Sequence, residues 1–168
     1  MNHIVLYNPA IPQNTGNIMR TCVATNSSLH LIKPLGFELD DKKMKRAGLD
    51  YIKDLKMYVY ENWEEFVEKN PGNYFFTTRY SKKRYSDFDL SHKEEENYFI
   101  FGHEHNGIPK ELLQKHLDDC MRIPMSTKTR SLNVSNCVAL VIYEALRQQD
   151  FPDLSDVETQ KGEDFLYE

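Results

Sequence analysis

Short apolar runs alternate with amphipathic stretches along the chain. Ile4–Tyr7, Leu29–Ile32, Met57–Tyr60, Tyr74–Thr78, Tyr98–Phe101 and Met121–Ile123 read as β-strands. Several are almost wholly apolar, as strands covered on both faces should be. Helical patterns fall at Gly16–Thr25, Asp41–Ala47, Trp63–Lys69, Pro109–His116 and Asn133–Gln149. The alternation predicts an α/β fold, a mostly parallel sheet with helices on both faces. Pro109 suits the first turn of its helix, where a missing N–H costs nothing. The last helix is apolar on most sides, through Val134, Val138, Leu140, Val141, Ile142 and Leu146. It is therefore expected to be buried, with a dimer seam covering what the core leaves open. Ser81–Glu96 is polar and charged and reads as a long loop after a strand end, where α/β proteins place binding groups.

A chain of 168 residues is the size of one domain; the pattern predicts one unit over residues 1–150 and a loose acidic tail over 151–168. No apolar tract is long enough to cross a bilayer. The start of the chain lacks the basic and apolar regions of an export signal, so the cytoplasm is the expected location. The three cysteines, Cys22, Cys120 and Cys137, form no CxxC pair, which suggests neither a disulfide framework nor a zinc site.

A net charge of −5 is at first sight unfavourable for binding nucleic acid. Its distribution changes the picture. Asp150–Glu168 holds seven acidic residues and one lysine, a net of −6, which leaves +1 on the residues before it. Those residues carry three basic clusters: Lys42, Lys43, Lys45 and Arg46; Arg79, Lys82, Lys83 and Arg84; Lys128 and Arg130. Each alone reads most simply as a solvated face, but three in one small domain make an RNA partner reasonable.

Three segments carry candidate chemistry. The first, IPQNTGNIMRTC over Ile11–Cys22, is a turn and a helix start that Asn14 or Thr15 could cap, with Arg20 inside the helix. The second, FGHEHNGIP over Phe101–Pro109, follows a strand directly, and a glycine there lets a ligand press against the main chain. It lacks both the GxGxxG fingerprint and the P-loop lysine, which argues against a phosphate cradle. His103 and His105 flank Glu104, but no further ligand cluster accompanies them, so no metal is expected. The third, IPMSTKTRSLNVSN over Ile123–Asn136, crowds hydroxyl and amide groups at the start of the last helix, beside the positive end of its dipole.

Together, in this order, the segments resemble the SPOUT superfamily of RNA methyltransferases and, more narrowly, its tRNA (cytidine/uridine-34) 2'-O-methyltransferase family. The likeness runs from Ile4 to about Gln149 and includes DDKKMKRAGLDY at Asp40–Tyr51. The resemblance implies a carboxy-terminal trefoil knot, which general topology rules would not suggest. It implies S-adenosylmethionine held largely by main-chain groups, and a homodimer acting on the wobble nucleotide of tRNA, leucine isoacceptors above all. Carried over position by position, it implies that Phe76, Thr77, Thr78, Gly102, Glu104, Ile123, Met125, Ser131, Leu132 and Asn133 border the cofactor. Arg20 and Asn14 are expected in the active site, with Ser131 and Asn133 opposite. His103 stands where the family often has a proline or a small residue. A guanidinium is a poor base, so Arg20 is expected to grip a phosphate and stabilise the developing alkoxide rather than to abstract the proton.

Overall fold

The computed structural model describes residues 1–40, 42, 43, 46 and 53–168. The helix expected over Asp41–Ala47, and with it most of Asp40–Tyr51, lies outside the described residues apart from Asp40, Lys42, Lys43 and Arg46.

The strands are β1 (Asn2–Tyr7), β2 (Ser28–Ile32), β3 (Met57–Tyr60), β4 (Asn73–Thr77), β5 (Asn97–Phe101) and β6 (Cys120–Met121). The long helices are α1 (Pro12–Ala24) and α4 (Val134–Gln148), with shorter α2 (Trp63–Lys69) and α3 (Lys110–Gln114). The described strands form one six-stranded sheet in the order β3-β2-β1-β5-β4-β6, parallel at every pairing.

Alternation along β1 and β5 explains why both faces need cover. Ile4, Leu6, Phe99 and Phe101 point to one side, where Ile18 and Met19 of α1 and Val138, Val141 and Ile142 of α4 close over them. Val5 and Ile100 point to the other, packed with Phe66 of α2, Phe76 of β4 and Leu113 of α3. That two-sided burial is the condition for a parallel sheet.

A buried polar chain that no local motif announced crosses β1, β2 and β3. His3 Nδ1 and His30 Nε2 lie 3.0 Å apart, His30 Nδ1 meets the Tyr60 hydroxyl at 2.8 Å, and His3 Nε2 bonds Glu96. At the far end of α4, Gln149 exchanges amide hydrogen bonds with Asn2 (2.9 and 3.1 Å) and donates to the Leu90 carbonyl (2.8 Å). Gln148 donates to Phe88 O (3.0 Å) and accepts from Leu90 N (2.7 Å). The long loop after β4 is thus fastened to α4, and its Phe88 and Leu90 enter the core.

Strand β6 is shorter than expected and sits one residue earlier. It runs between β4 and the loop that leaves β4. Thr78 N donates to Met121 O at 2.9 Å, Arg122 N to Lys83 O at 2.8 Å and Tyr85 N to Arg122 O at 2.9 Å. The Ser81 hydroxyl donates to Cys120 O at 2.6 Å. Beyond α4, Phe151 N donates to Leu146 O and Leu154 packs on the core, while residues 155–168 carry neither helix nor strand.

Candidate active site

The carboxyl ends of β4 and β5 open into a cavity of about 390 Å³, within the size range of small-molecule sites. The sheet's connectivity puts it there: the chain moves outward from β1 to β3, then returns to build β4 and β5 on β1's other side, and such a reversal opens a crevice at the strand ends. Thr77, Thr78, Gly102, Glu104, Ser131 and Leu132, six of the residues that the resemblance sets beside the cofactor, line it. Arg79, Tyr80, His103, Arg130 and Cys137 line it too, and the sequence reading assigned none of them there. Their signal was position alone: Arg79 and Tyr80 follow a strand end, and Cys137 lies one helical turn beyond Asn133.

Phe76 and Ile123 are buried in the two cores and, like Met125 and Asn133, are not part of the cavity lining. Met125 is half-buried on the connection between β6 and α4. The side-chain hydroxyl of Thr77 is buried at the cavity wall without a protein partner. Leaving such a polar atom unpaired costs about 1–3 kcal/mol.

Gly102 is required by its own loop. A Cβ there would stand 2.4 Å from the Gly107 carbonyl carbon and 2.5 Å from Ile108 N. The loop doubles back, with Gly107 N donating to His103 O at 2.9 Å, and Gly107 turns at φ +66°. The close approach that the glycine permits is therefore first that of the returning backbone. Inside this loop His103 Nδ1 accepts from the amides of His105 and Asn106, at 3.0 and 3.1 Å.

The local cap expected for α1 is absent. The helix begins at Pro12, a turn earlier than predicted; Ile11 occupies the cap position with no side-chain bond, and Asn14 and Thr15 are already inside. The cap comes instead from the second segment. Glu104 accepts from Ala10 N at 2.9 Å and Ile11 N at 3.0 Å, a carboxylate at the positive end of a helix dipole. Asn14 Nδ2 donates to the same carboxylate at 3.5 Å, and Asn133 Nδ2 donates to Asn14 Oδ1 at 3.0 Å. Asn133 Oδ1 meanwhile accepts from Ser135 N at 2.9 Å, capping α4. Glu104, Asn14 and Asn133 thus tie all three segments together beside the cavity. Arg20 lies further along α1 and is exposed, outside the cavity lining.

The chemistry available is positional and electrostatic. Burial pushes the Cys137 thiol up to about 11, so it is no nucleophile at neutral pH. Among the described residues no group of three or more side chains could hold a metal ion.

Residues 1–143 match the SpoU rRNA Methylase family. A Geobacillus stearothermophilus protein provisionally named tRNA (cytidine(34)-2'-O)-methyltransferase is 50% identical over 154 residues, spanning 91% of this chain and 98% of that one. A solved structure concerned with 2-OH methylation of C/U34 on tRNA superposes with a TM-score of 0.83 at 38% identity, covering 89% of this chain and 97% of the other. The fold recurs, at 22% identity and TM-score 0.78, in the SpoU methyltransferase AviRb of Streptomyces viridochromogenes, solved in complex with the cofactor AdoMet; 88% of this chain and 57% of that one align.

Proposed function

The chain belongs to the SpoU rRNA methylase family, and from that premise we propose that it methylates the ribose 2'-hydroxyl of nucleotide 34 of tRNA, using S-adenosylmethionine. The family description names rRNA; the names of its full-length relatives point to tRNA and to the wobble position. What supports the reading most directly is the Glu104–Asn14–Asn133 link, which brings together a strand-end glycine loop, a helix bearing Arg20 and the start of α4.

The cavity suits the donor. A few polar residues converge in it, among them Thr77, Thr78, Glu104 and Ser131, and among the described residues no lysine lines it. Thr77, Thr78, Gly102, Ser131 and Leu132 would hold the nucleoside, with main-chain groups of Phe76, Ile123 and Met125 completing the pocket. When bound, S-adenosylmethionine supplies a methyl group already activated by its positive sulfur. The protein's task is to bring the ribose oxygen into line with it and to ease loss of the hydroxyl proton. Alignment is the larger effect, up to roughly 7–11 kcal/mol in favourable intramolecular systems, against about 10²- to 10⁴-fold from proton transfer.

In this reading Arg20 grips the phosphate next to nucleotide 34 and stabilises the forming alkoxide through its planar fork, while the proton leaves to phosphate or water. Asn14 and Asn133 hold α1 and the α4 start in register, with the Ser131 side of the loop facing the substrate. Glu104 acts as a positioning residue, since its carboxylate is engaged by the start of α1.

We further infer that the chain after β6 threads the 78–96 loop as a trefoil knot. The support is the double pairing of residues 120–122, to β4 on one side and to Lys83–Tyr85 on the other. The protein also works as a homodimer in this account. Leu140 and Tyr143 of α4 are 42% and 46% exposed and share an exposed stripe with Asn136 and Arg147. Sedimentation that shows only monomer at micromolar concentration would exclude the dimer. A tRNA substrate sets the place of action in the cytoplasm, and leucine isoacceptors are its expected targets. Ribose-methylation mapping of total tRNA with and without the protein tests the proposal: a new mark confined to position 34 is expected, and marks elsewhere with none at 34 would overturn it.

A further inference from the structure

The mouth of the cavity carries an aromatic residue that folding does not account for. Tyr80 is 73% exposed, although a ring of that size gains most by burial. Its main chain is nevertheless fixed from several sides. Tyr80 N donates to the Thr78 hydroxyl at 3.3 Å, the Arg122 guanidinium bonds Arg79 O, and Ser81 is tied to Cys120 O at 2.6 Å. The ring is oriented as well. Arg79 Nη2 donates to the Tyr80 hydroxyl at 2.7 Å, and the guanidinium carbon lies 4.8 Å from the ring centroid.

The surroundings are basic. Arg79 and Arg130 line the same cavity, and Lys82 and Lys128 are exposed nearby in sequence. A held, water-exposed ring with a guanidinium against it, set among cations at the mouth of a nucleoside-sized cavity, matches what a single-stranded nucleobase needs. Every base has a π-face, and stacking on an aromatic side chain contributes about 1–3 kcal/mol.

We propose that Tyr80, oriented by Arg79, is a stacking platform for an unpaired RNA base that flanks the methylated nucleotide. This rests on the tRNA reading above; Tyr80 lines the cavity, and its 73% exposure to solvent favours the RNA over an enclosed donor as its partner. The recognition is tolerant of base identity, because the π-face is read and not the hydrogen-bonding edge.

The test uses the full chain and an anticodon stem-loop carrying 2-aminopurine on either side of the target nucleotide. Binding to the unaltered protein quenches the probe at one of the two positions. Tyr80→Ala abolishes that quenching and weakens RNA binding about tenfold, Tyr80→Phe retains both, and any loss of S-adenosylmethionine affinity in either variant is smaller than the alanine's loss of RNA binding. Undiminished quenching in Tyr80→Ala, or a Tyr80→Phe variant as impaired as the alanine, would overturn the platform. So would a loss of S-adenosylmethionine affinity with RNA binding intact, which would give the ring to the cofactor. Failure of the activity reading shows separately, as unaltered protein that transfers no methyl group to tRNA, and quenching of 2-aminopurine in a generic single-stranded RNA then still reports on the ring.

Discussion

Asn133 donates its side-chain amide to Oδ1 of Asn14 at 3.0 Å, across 119 residues of sequence. Asn14 passes the connection to Glu104, so the helix bearing Arg20, the glycine loop and the start of α4 share one polar seam. Each member also caps a helix or sits within a helix start. Shifting any one of them disturbs the relative placement of the other two.

Glu104→Ala leaves the amides of Ala10 and Ile11 without their acceptor. Unsatisfied donors of this kind cost about 1–3 kcal/mol, so denaturant unfolding shows a loss of that size. Methyl transfer falls further than stability does, because Asn14 and Arg20 lose their placement. Glu104→Gln, which keeps one acceptor oxygen, recovers part of both.

Arg20→Lys keeps the charge and removes the fork. Near-normal tRNA affinity with methyl transfer at least tenfold slower is expected, since a lysine cannot bridge phosphate and alkoxide in a plane. Steady-state kinetics that separate kcat from KM check this; turnover near that of the unaltered protein would show the fork to be dispensable.

Gly102→Ala places a methyl group 2.4 Å from backbone, which cannot move without opening the 103–107 turn. Overpacking of this sort costs about 1–3 kcal/mol. Calorimetric titration with S-adenosylmethionine should show weakened binding in a protein that still folds.

The His3–His30 pair sets an acid limit on stability. Burial, together with nearby His3, holds His30 down to about 3 from an ordinary 6.5, and burial lowers His3 as well, against the raising effect of Glu96. Tyr58, Tyr60, Tyr98 and the chain's amino terminus are the other titratable groups near the pair. The folded state therefore excludes protons that the unfolded chain binds once pH drops below 6.5. The stabilising contribution of His30 is complete above that value and is lost as pH falls toward about 3, at up to about 1.4 kcal/mol per pH unit, and His3 acts in the same direction. Denaturation midpoints measured at intervals between neutral and acid pH should fall accordingly, and a flat profile would contradict the assignment.

The sequence made the sheet legible where burial on both faces left near-continuous apolar runs. Tyr98–Phe101 and Met57–Tyr60 lie within one residue of the observed strands, and Trp63–Lys69 matches its helix. It was less informative where long-range partners decide. Asn14 and Thr15 read as a local cap, but α1 starts at Pro12 because a carboxylate some ninety residues away supplies the acceptor. The short β6 exists through its neighbours on both sides, and the Gln148 and Gln149 fastenings to Phe88 and Leu90 have no sequence period. At the site, Thr77, Gly102 and Leu132 were legible through a family pattern. Tyr80 and Cys137 were not, since an aromatic after a strand and a cysteine in an apolar helix both read as ordinary packing.

The central claim is transfer to the 2'-hydroxyl of nucleotide 34, and one substitution in the substrate isolates it. Labelled methyl transfer from S-adenosylmethionine is measured with two otherwise identical tRNAs, one of them carrying a 2'-deoxynucleotide at position 34. Incorporation into the ribose form and none into the deoxy form is the predicted result; equal labelling of both, or of neither, would contradict it.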